Sequence, residues 1–333
     1  MLMYSLTAAV FAGLEIMLAL GLNLQYGLTG MFNLSYIMYM AFGAYVTAVL
    51  VLPPAKAPFS FYILGAHLPF PVALLGGMVV AGVAAALVGV IIVGRRVRAE
   101  YFLIVSLVIA SEAAQLIAQD RPLFNGFDGL FGVTAPFPQN FTSLETSLAF
   151  LGLVVVGAGA TLLVAEVIRR SGYGRMLRAI RDDEVAALAF GVNVFRARLT
   201  IYVVGAVIAA AAGSITMVYV GAFSTAGWTV GETILALTCV IAGGSGNNWG
   251  TTIASVLLVG LIIDIVMQLL IPLLPGMGAN PSIVALSQVI VANLLLLAVL
   301  RWRPQGLFPE RVKRMANLAG GAPMDERVRS SQS

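Results

Sequence analysis

The sequence has little charge and almost none of the usual catalytic residue types. Only 10% of its 333 residues are charged, whereas a soluble domain carries about a quarter. Hydrophobic residues make up 60% and the mean hydropathy is +0.97, which excludes an ordinary soluble fold. A single cysteine, Cys239, excludes an intrachain disulfide and leaves the redox compartment unspecified. With His67 as the one histidine there is no zinc cluster and no Ser-His-acid set that stands out from chance. The only lysines are Lys56 and Lys313, and neither follows a glycine, so no P-loop is present to hold ATP phosphates. No cofactor is expected in this chain, and energy drawn from ATP must enter through a partner.

What is present is a succession of apolar runs. One crossing takes about 20 apolar residues, so the length allows about nine or ten. The runs predict spans near 5–22, 31–52, 71–94, 101–119, 147–168, 199–221, 231–243, 250–272 and 283–300. The expected fold is an all-α polytopic bundle of about 8–10 transmembrane helices. Run 231–243 is short and reads as a half-helix that protein must cover; whether it crosses is open. The first run has no Lys or Arg before it and no small-residue cleavage site, which reads as a retained helix. Residues 1–308 read as the transmembrane domain, and the polar stretch 309–333 as a poorly ordered tail. The pairs Gly82/Gly89 and Gly152/Gly157 predict close helix packing.

Of the 19 basic residues, 17 fall in three places: 95–98, 169–198 and from Arg301 onward. If all the predicted runs cross, those places share one side, and Lys56 and Arg121 fall on the other. By the positive-inside rule the basic side is cytoplasmic, with the N-terminus outside and the C-terminus inside. The basic excess is thus a topology signal, and no nucleic-acid partner is expected. Segments 53–70 and 120–146, rich in Pro, Phe, Gly and Asn, read as external loops.

Four acids, Glu15, Glu112, Glu232 and Asp264, lie in or beside apolar runs, where a charge costs about 2.5–3.5 kcal/mol at mid-membrane. Two readings stand. They serve ion or substrate chemistry, or Glu15 and Glu232 sit near interfaces while Glu112 and Asp264 pair with amides or backbone. Polar, glycine-rich stretches at 23–33 and 242–250 interrupt neighbouring runs. As broken helices they offer free N–H and C=O groups to a zwitterionic solute; as turns they form a cytoplasmic-side gate.

The densest charge is at 169–198, with seven arginines around the run Gly174-Arg-Met-Leu-Arg-Ala-Ile-Arg-Asp-Asp-Glu-Val-Ala-Ala-Leu-Ala-Phe-Gly191. Leu177, Ile180 and Leu188 fall on one helical face, and Arg178 and Asp182 can pair at i, i+4. Such a helix could lie on lipid headgroups, but the adjacent acids Asp182, Asp183 and Glu184 favour docking to a soluble protein. Gly191 reads as the C′ glycine that ends it.

That run resembles the cytoplasmic coupling loop of branched-chain amino acid ABC transporter permeases. Ala186-Ala187-x3-Gly191 is similar to the loop by which such permeases engage their ATPases, with Val185 where the usual glutamate stands and Glu184 one place earlier. Leu22-Asn-Leu-Gln-Tyr-Gly-Leu-Thr-Gly-Met-Phe-Asn-Leu-Ser35 resembles the family's opening motif, Gly243-Gly-Ser-Gly-Asn-Asn-Trp-Gly250 its late glycine-rich turn, and Arg303-Pro-Gln-Gly-Leu-Phe-Pro309 its closing motif. The stretch from Arg98 to Glu112 is similar to the LivM-type half of the family. It departs at Ala99-Glu100, at Ser111 and at Asn125-Gly-Phe-Asp-Gly129, where the family has Gly-Pro, Gly and a Gly-Gly-x-Asn-Gly type of loop.

The resemblance implies a transport subunit and no enzyme. It implies half of a translocation pathway in a cell membrane, with a second homologous permease, two cytoplasmic ATP-binding subunits and an extracytoplasmic solute-binding protein as partners. Arg175, Arg178, Arg181, Asp182, Glu184, Ala186, Ala187 and Gly191 would meet the ATPases; Asn23, Gln25, Asn33, Glu112 and Asn293 are pathway candidates. Relatives of this fold also move urea and short amides. Two further alternatives remain open: a proton-coupled secondary transporter using Glu112 or Asp264, and a membrane scaffold that moves nothing.

Overall fold

The computed structural model of the chain describes residues 2–55, 61–94, 99–138 and 140–264, with isolated positions 290–291, 294, 297–298, 301 and 306–308. The predicted run 283–300, pathway candidate Asn293 and the tail 309–333 thus lie wholly or mostly outside the described residues.

The first helix, α1 (Leu2–Thr29), is longer than its apolar run. It continues through Asn23 and Gln25, so the helix breaks at Gly30, with φ +73°, and not near Leu22. The physical reason is that the polar side chains of the last two turns find partners on other helices, leaving the α1 backbone ladder undisturbed. Next come α2 (Tyr36–Val51), α3 (Phe70–Gly94), α4 (Ala99–Gln119) and the single turn α5 (Arg121–Phe124). After β1 (Leu130–Phe131), a capping box opens α6 (Ser143–Arg170): Thr142 Oγ1 accepts from Glu145 N while Glu145 Oε2 accepts from Thr142 N at 2.7 Å. Two short helices, α7 (Gly172–Asp182) and α8 (Glu184–Ala189), connect α6 to α9 (Val194–Val220). Then follow β2 (Ala222–Phe223), α10 (Val230–Gly243) and α11 (Asn248–Asp264).

Five described helices are long and apolar enough to cross a membrane, and α2 and α10 are shorter apolar helices. Burial sorts them into layers. In the most apolar window of α1 and α9, 67% and 72% of residues are buried, against 33%, 28% and 22% for α3, α4 and α6. α1 and α9 form the centre, and the outer helices present Val and Leu to the surroundings, as a lipid-facing surface requires.

Glycines set the closest crossing. A Cβ on Gly43 of α2 would collide with the Ala210 backbone of α9, and one on Gly213 of α9 with the Met40 carbonyl of α2. The backbones touch there, the small-residue packing that membrane bundles rely on. Gly82 and Gly89 of α3 likewise face Val207, Leu199 and Tyr202 of α9, and Gly157 of α6 faces Met17, whereas Gly152 faces nothing within 4 Å.

The bundle has two distinct ends. At one, residues 61–63, between α2 and α3, pack on the segment after α4: Ile63 N donates to Leu123 O, and Phe61 N to Asn125 Oδ1. There β1 pairs antiparallel with β2, Leu130 opposite Phe223, and Tyr45 meets Phe124 and Phe223. Arg121 belongs to this end. The arginines of 169–198 gather at the other.

Candidate functional site

The polar end is built on α7 and α8, which hang between α6 and α9. Ser171 caps α7, its hydroxyl accepting from Gly174 N at 3.2 Å. Leu177 and Ile180 turn inward and are fully buried, and Tyr173 donates to Ala197 O of α9 at 2.9 Å. The single amphipathic helix expected over 174–191 is interrupted. Asp183 leaves the helical region at φ −153°, and its carboxylate accepts from Ala186 N at 3.0 Å, starting α8 afresh. A short acidic side chain competing for a backbone N–H produces such a break.

In α8, Ala187 is buried, Ala186 and Leu188 are half-buried and Val185 is 77% exposed, and Phe190, just past its end, is 88% exposed. Gly191 follows with φ +79°, and Gly191 N and Val192 N donate back to Leu188 O and Ala187 O. The turn therefore ends in a left-handed residue that favours glycine. The knuckle so formed projects two large apolar side chains away from the bundle.

The charged residues divide between outside and inside. Asp182 and Arg175 are exposed, and Arg178 is half-buried. Glu184 pairs with Arg198 of α9 at 2.8 Å, tying the knuckle to the next long helix. Arg181 reaches inward: it contacts Asp182 at 3.3 Å, and its Nη1 donates to Gly27 O in the last turn of α1.

Of the pathway candidates, Gln25 and Asn33 are brought together, and Asn23 is held by a separate set of partners. Gln25 Nε2 donates to Tyr202 O of α9 at 2.9 Å, and Asn33 Nδ2 to Gln25 Oε1 at 2.9 Å. Asn33 Oδ1 accepts from Ser35, whose hydroxyl meets Tyr202 Oη at 3.1 Å. Asn23 Nδ2 donates to Asn248 Oδ1 at 2.9 Å and Asn23 Oδ1 accepts from Gly246 N. All three are buried and satisfied, and in this conformation they join α1 to α2, α9 and α11. The two glycine-rich stretches are thus one structure, the second a turn seated on the end of α1. Glu112 is elsewhere, on an exposed face of α4 with Ser111, Gln115 and Gln119.

Glu15 departs from the interfacial reading. It lies halfway along α1, 6% exposed, with Oε1 lacking a hydrogen-bond partner and Cys239 of α10 beside it. The chain passes the acid through the bundle because α10 covers it. Glu232 lies in the first turn of α10.

The sequence reading passed over Glu166. Near the end of α6, its carboxylate accepts from Arg169 Nε at 2.8 Å, Arg170 Nε at 2.6 Å and Asn248 Nδ2 at 3.1 Å. An acid three and four places before two arginines was the available signal.

A bundle of long apolar helices with a polar, arginine-rich knuckle at one end is an all-α polytopic membrane protein. Residues 4–300 match the family described as branched-chain amino acid transport system / permease component. The chain is similar to the high-affinity branched-chain amino acid transport system permease protein LivM of Escherichia coli, 26% identical over 342 residues, covering 96% of this chain and 73% of that protein. The protein of the same name from Salmonella typhimurium is 27% identical over 330 residues, covering 92% and 70%. No solved structure matches. The chain belongs to the branched-chain amino acid ABC transporter permease family, and is a transport subunit, not an enzyme.

Proposed function

We propose that this chain forms half of the translocation pathway of an ATP-driven importer of branched-chain or related amino acids. A second homologous permease supplies the other half, a solute-binding protein delivers from outside, and two ATP-binding subunits act on the arginine-rich end, which is cytoplasmic. ATP is bound by those subunits, and this chain carries no cofactor.

The observation that carries the reading is the knuckle. Its inner face is fastened to α1 and α9 through Leu177, Ile180, Arg181 and the Glu184–Arg198 pair, while Val185 and Phe190 stand exposed. A soluble ATPase seated there would cover apolar surface and push directly on the bundle. Glu112 supports the pathway half of the reading: an acid with neighbouring amides on the exposed face of an apolar span needs a polar surrounding, which a second permease across a wet pathway provides.

The test is a mild-detergent pulldown of the tagged chain from its native membranes, read by mass spectrometry. Recovery of a second permease and P-loop ATPases supports the reading. Recovery of the chain alone, transport-competent and responsive to a proton gradient, overturns it.

A further inference from the structure

Where the knuckle joins the bundle, one carboxylate gathers three helices. Glu166 sits in the last turns of α6, its side chain only 15% exposed. Its oxygens hold Arg169 and Arg170, the residues that lead through Ser171 into α7. Oε2 also accepts from Asn248 Nδ2, the first residue of α11. Asn248 Oδ1 accepts in turn from Asn23 Nδ2 of α1, and Asn23 Oδ1 from Gly246 N of the turn before α11. Asn23 and Asn248 are 0% and 1% exposed, so the bond between them is shielded from water, while the Glu166–Arg170 pair lies at the surface.

Each part of this arrangement is directional. A carboxylate at the start of a helix is favoured by the free N–H groups there, so Glu166 binds the beginning of α11 by charge as well as through Asn248. Charge-assisted hydrogen bonds are shorter and stronger than neutral ones, which fits the Arg170 contact of 2.6 Å. The backbones are also packed too closely to slide. A Cβ on Gly27 would meet Asn23 Oδ1 and Gly246 N, and one on Gly174 would meet the Ile168 and Arg169 carbonyls.

We infer that Glu166 is a positioning residue for transport. Its carboxylate locks the root of α7 to α11 and, through Asn248 and Asn23, to α1, so that a displacement of the knuckle moves all three helices together. The inference rests on the importer reading. The knuckle is the lever, and Glu166 sets how much of the bundle the lever moves. With Glu166 removed, α6 still follows α7 and α1 stays tied to α7 through Arg181, but α11 loses its direct tie to α6 and lags behind.

The experiment uses the complete complex reconstituted in vesicles, with L-leucine as the probe, and reads both ATP hydrolysis and leucine uptake. The variants are Glu166→Ala, Asn248→Ala and the two together, with Glu166→Asp as the conservative control. The expected result is ATP turnover close to wild type, with leucine moved per ATP reduced about 2–30-fold. The double variant is no worse than either single one, because both break the same chain, and Glu166→Asp recovers part of the ratio. A parallel fall in ATP turnover, uptake and thermal midpoint overturns the inference and leaves Glu166 a structural residue, as does additivity of the two singles. A wild-type complex that hydrolyses no ATP overturns the importer reading and this inference with it.

Discussion

Arg181 of α7 donates a hydrogen bond to the main-chain carbonyl of Gly27, in the last turn of α1. Carbonyls in a last turn have no partner within their own helix, and that end of the helix attracts positive charge. The guanidinium therefore faces into the bundle, and the Arg181 Cγ methylene lies over Gly30, where the chain turns toward α2. Arg181 is a link between the knuckle and the central helix.

Arg181→Ala removes this link. The expected outcome is a chain that still co-purifies with its ATPases, because Val185 and Phe190 are untouched, while uptake falls well below ATP turnover. A hydrogen bond from a charged group contributes about 1.5–3 kcal/mol, so the loss is large against a coupling free energy of about 1–3 kcal/mol. Arg181→Lys keeps the charge at the helix end and restores part of the uptake. Parallel assays of ATP hydrolysis and uptake check both.

Gly191 and Glu184 fix the far side of the knuckle. Gly191→Pro demands φ near −65° where the chain has +79°, and Glu184→Arg sets like charge against Arg198, now its partner at 2.8 Å. Both substitutions are expected to uncouple ATP hydrolysis from transport. Solute-stimulated ATP turnover, measured in the reconstituted complex, should lose its dependence on solute; an unchanged response counts against the role.

The backbone contact between α2 and α9 makes a paired prediction about stability. Gly43→Ala forces a Cβ onto the Ala210 backbone and should destabilise by about 1–3 kcal/mol. Gly152→Ala, in open space on α6, should be neutral or stabilise by up to about 1 kcal/mol, because alanine fixes a helix better than glycine. Thermal unfolding of the two purified variants in detergent separates these outcomes.

Most long helices could be read directly, because an apolar run of sufficient length in an almost uncharged chain has few other structures open to it. The end of α1 could not. Asn23 and Gln25 look like a helix break in one dimension, and are tolerated in the helix because Asn248, 225 residues later, and the Tyr202 carbonyl satisfy them. Glu15 misled for the same reason: its cover comes from α10, far along the chain. In the knuckle, arginine spacing marked the segment but could not show Arg181 turning inward. Nor could hydrophobic period locate the break at Asp183, which one side-chain cap decides.

The most direct measurement is a site-directed crosslink. Cys239 is the only cysteine and is buried, so Phe190→Cys introduces a single accessible thiol at the tip of the knuckle. A short bifunctional reagent is applied to native membranes, and the products are read by mass spectrometry. The importer reading predicts a covalent product with a P-loop ATPase that changes in yield when ATP is added. A thiol that reacts freely with soluble maleimide yet forms no such product, or one shielded by lipid alone, would contradict it.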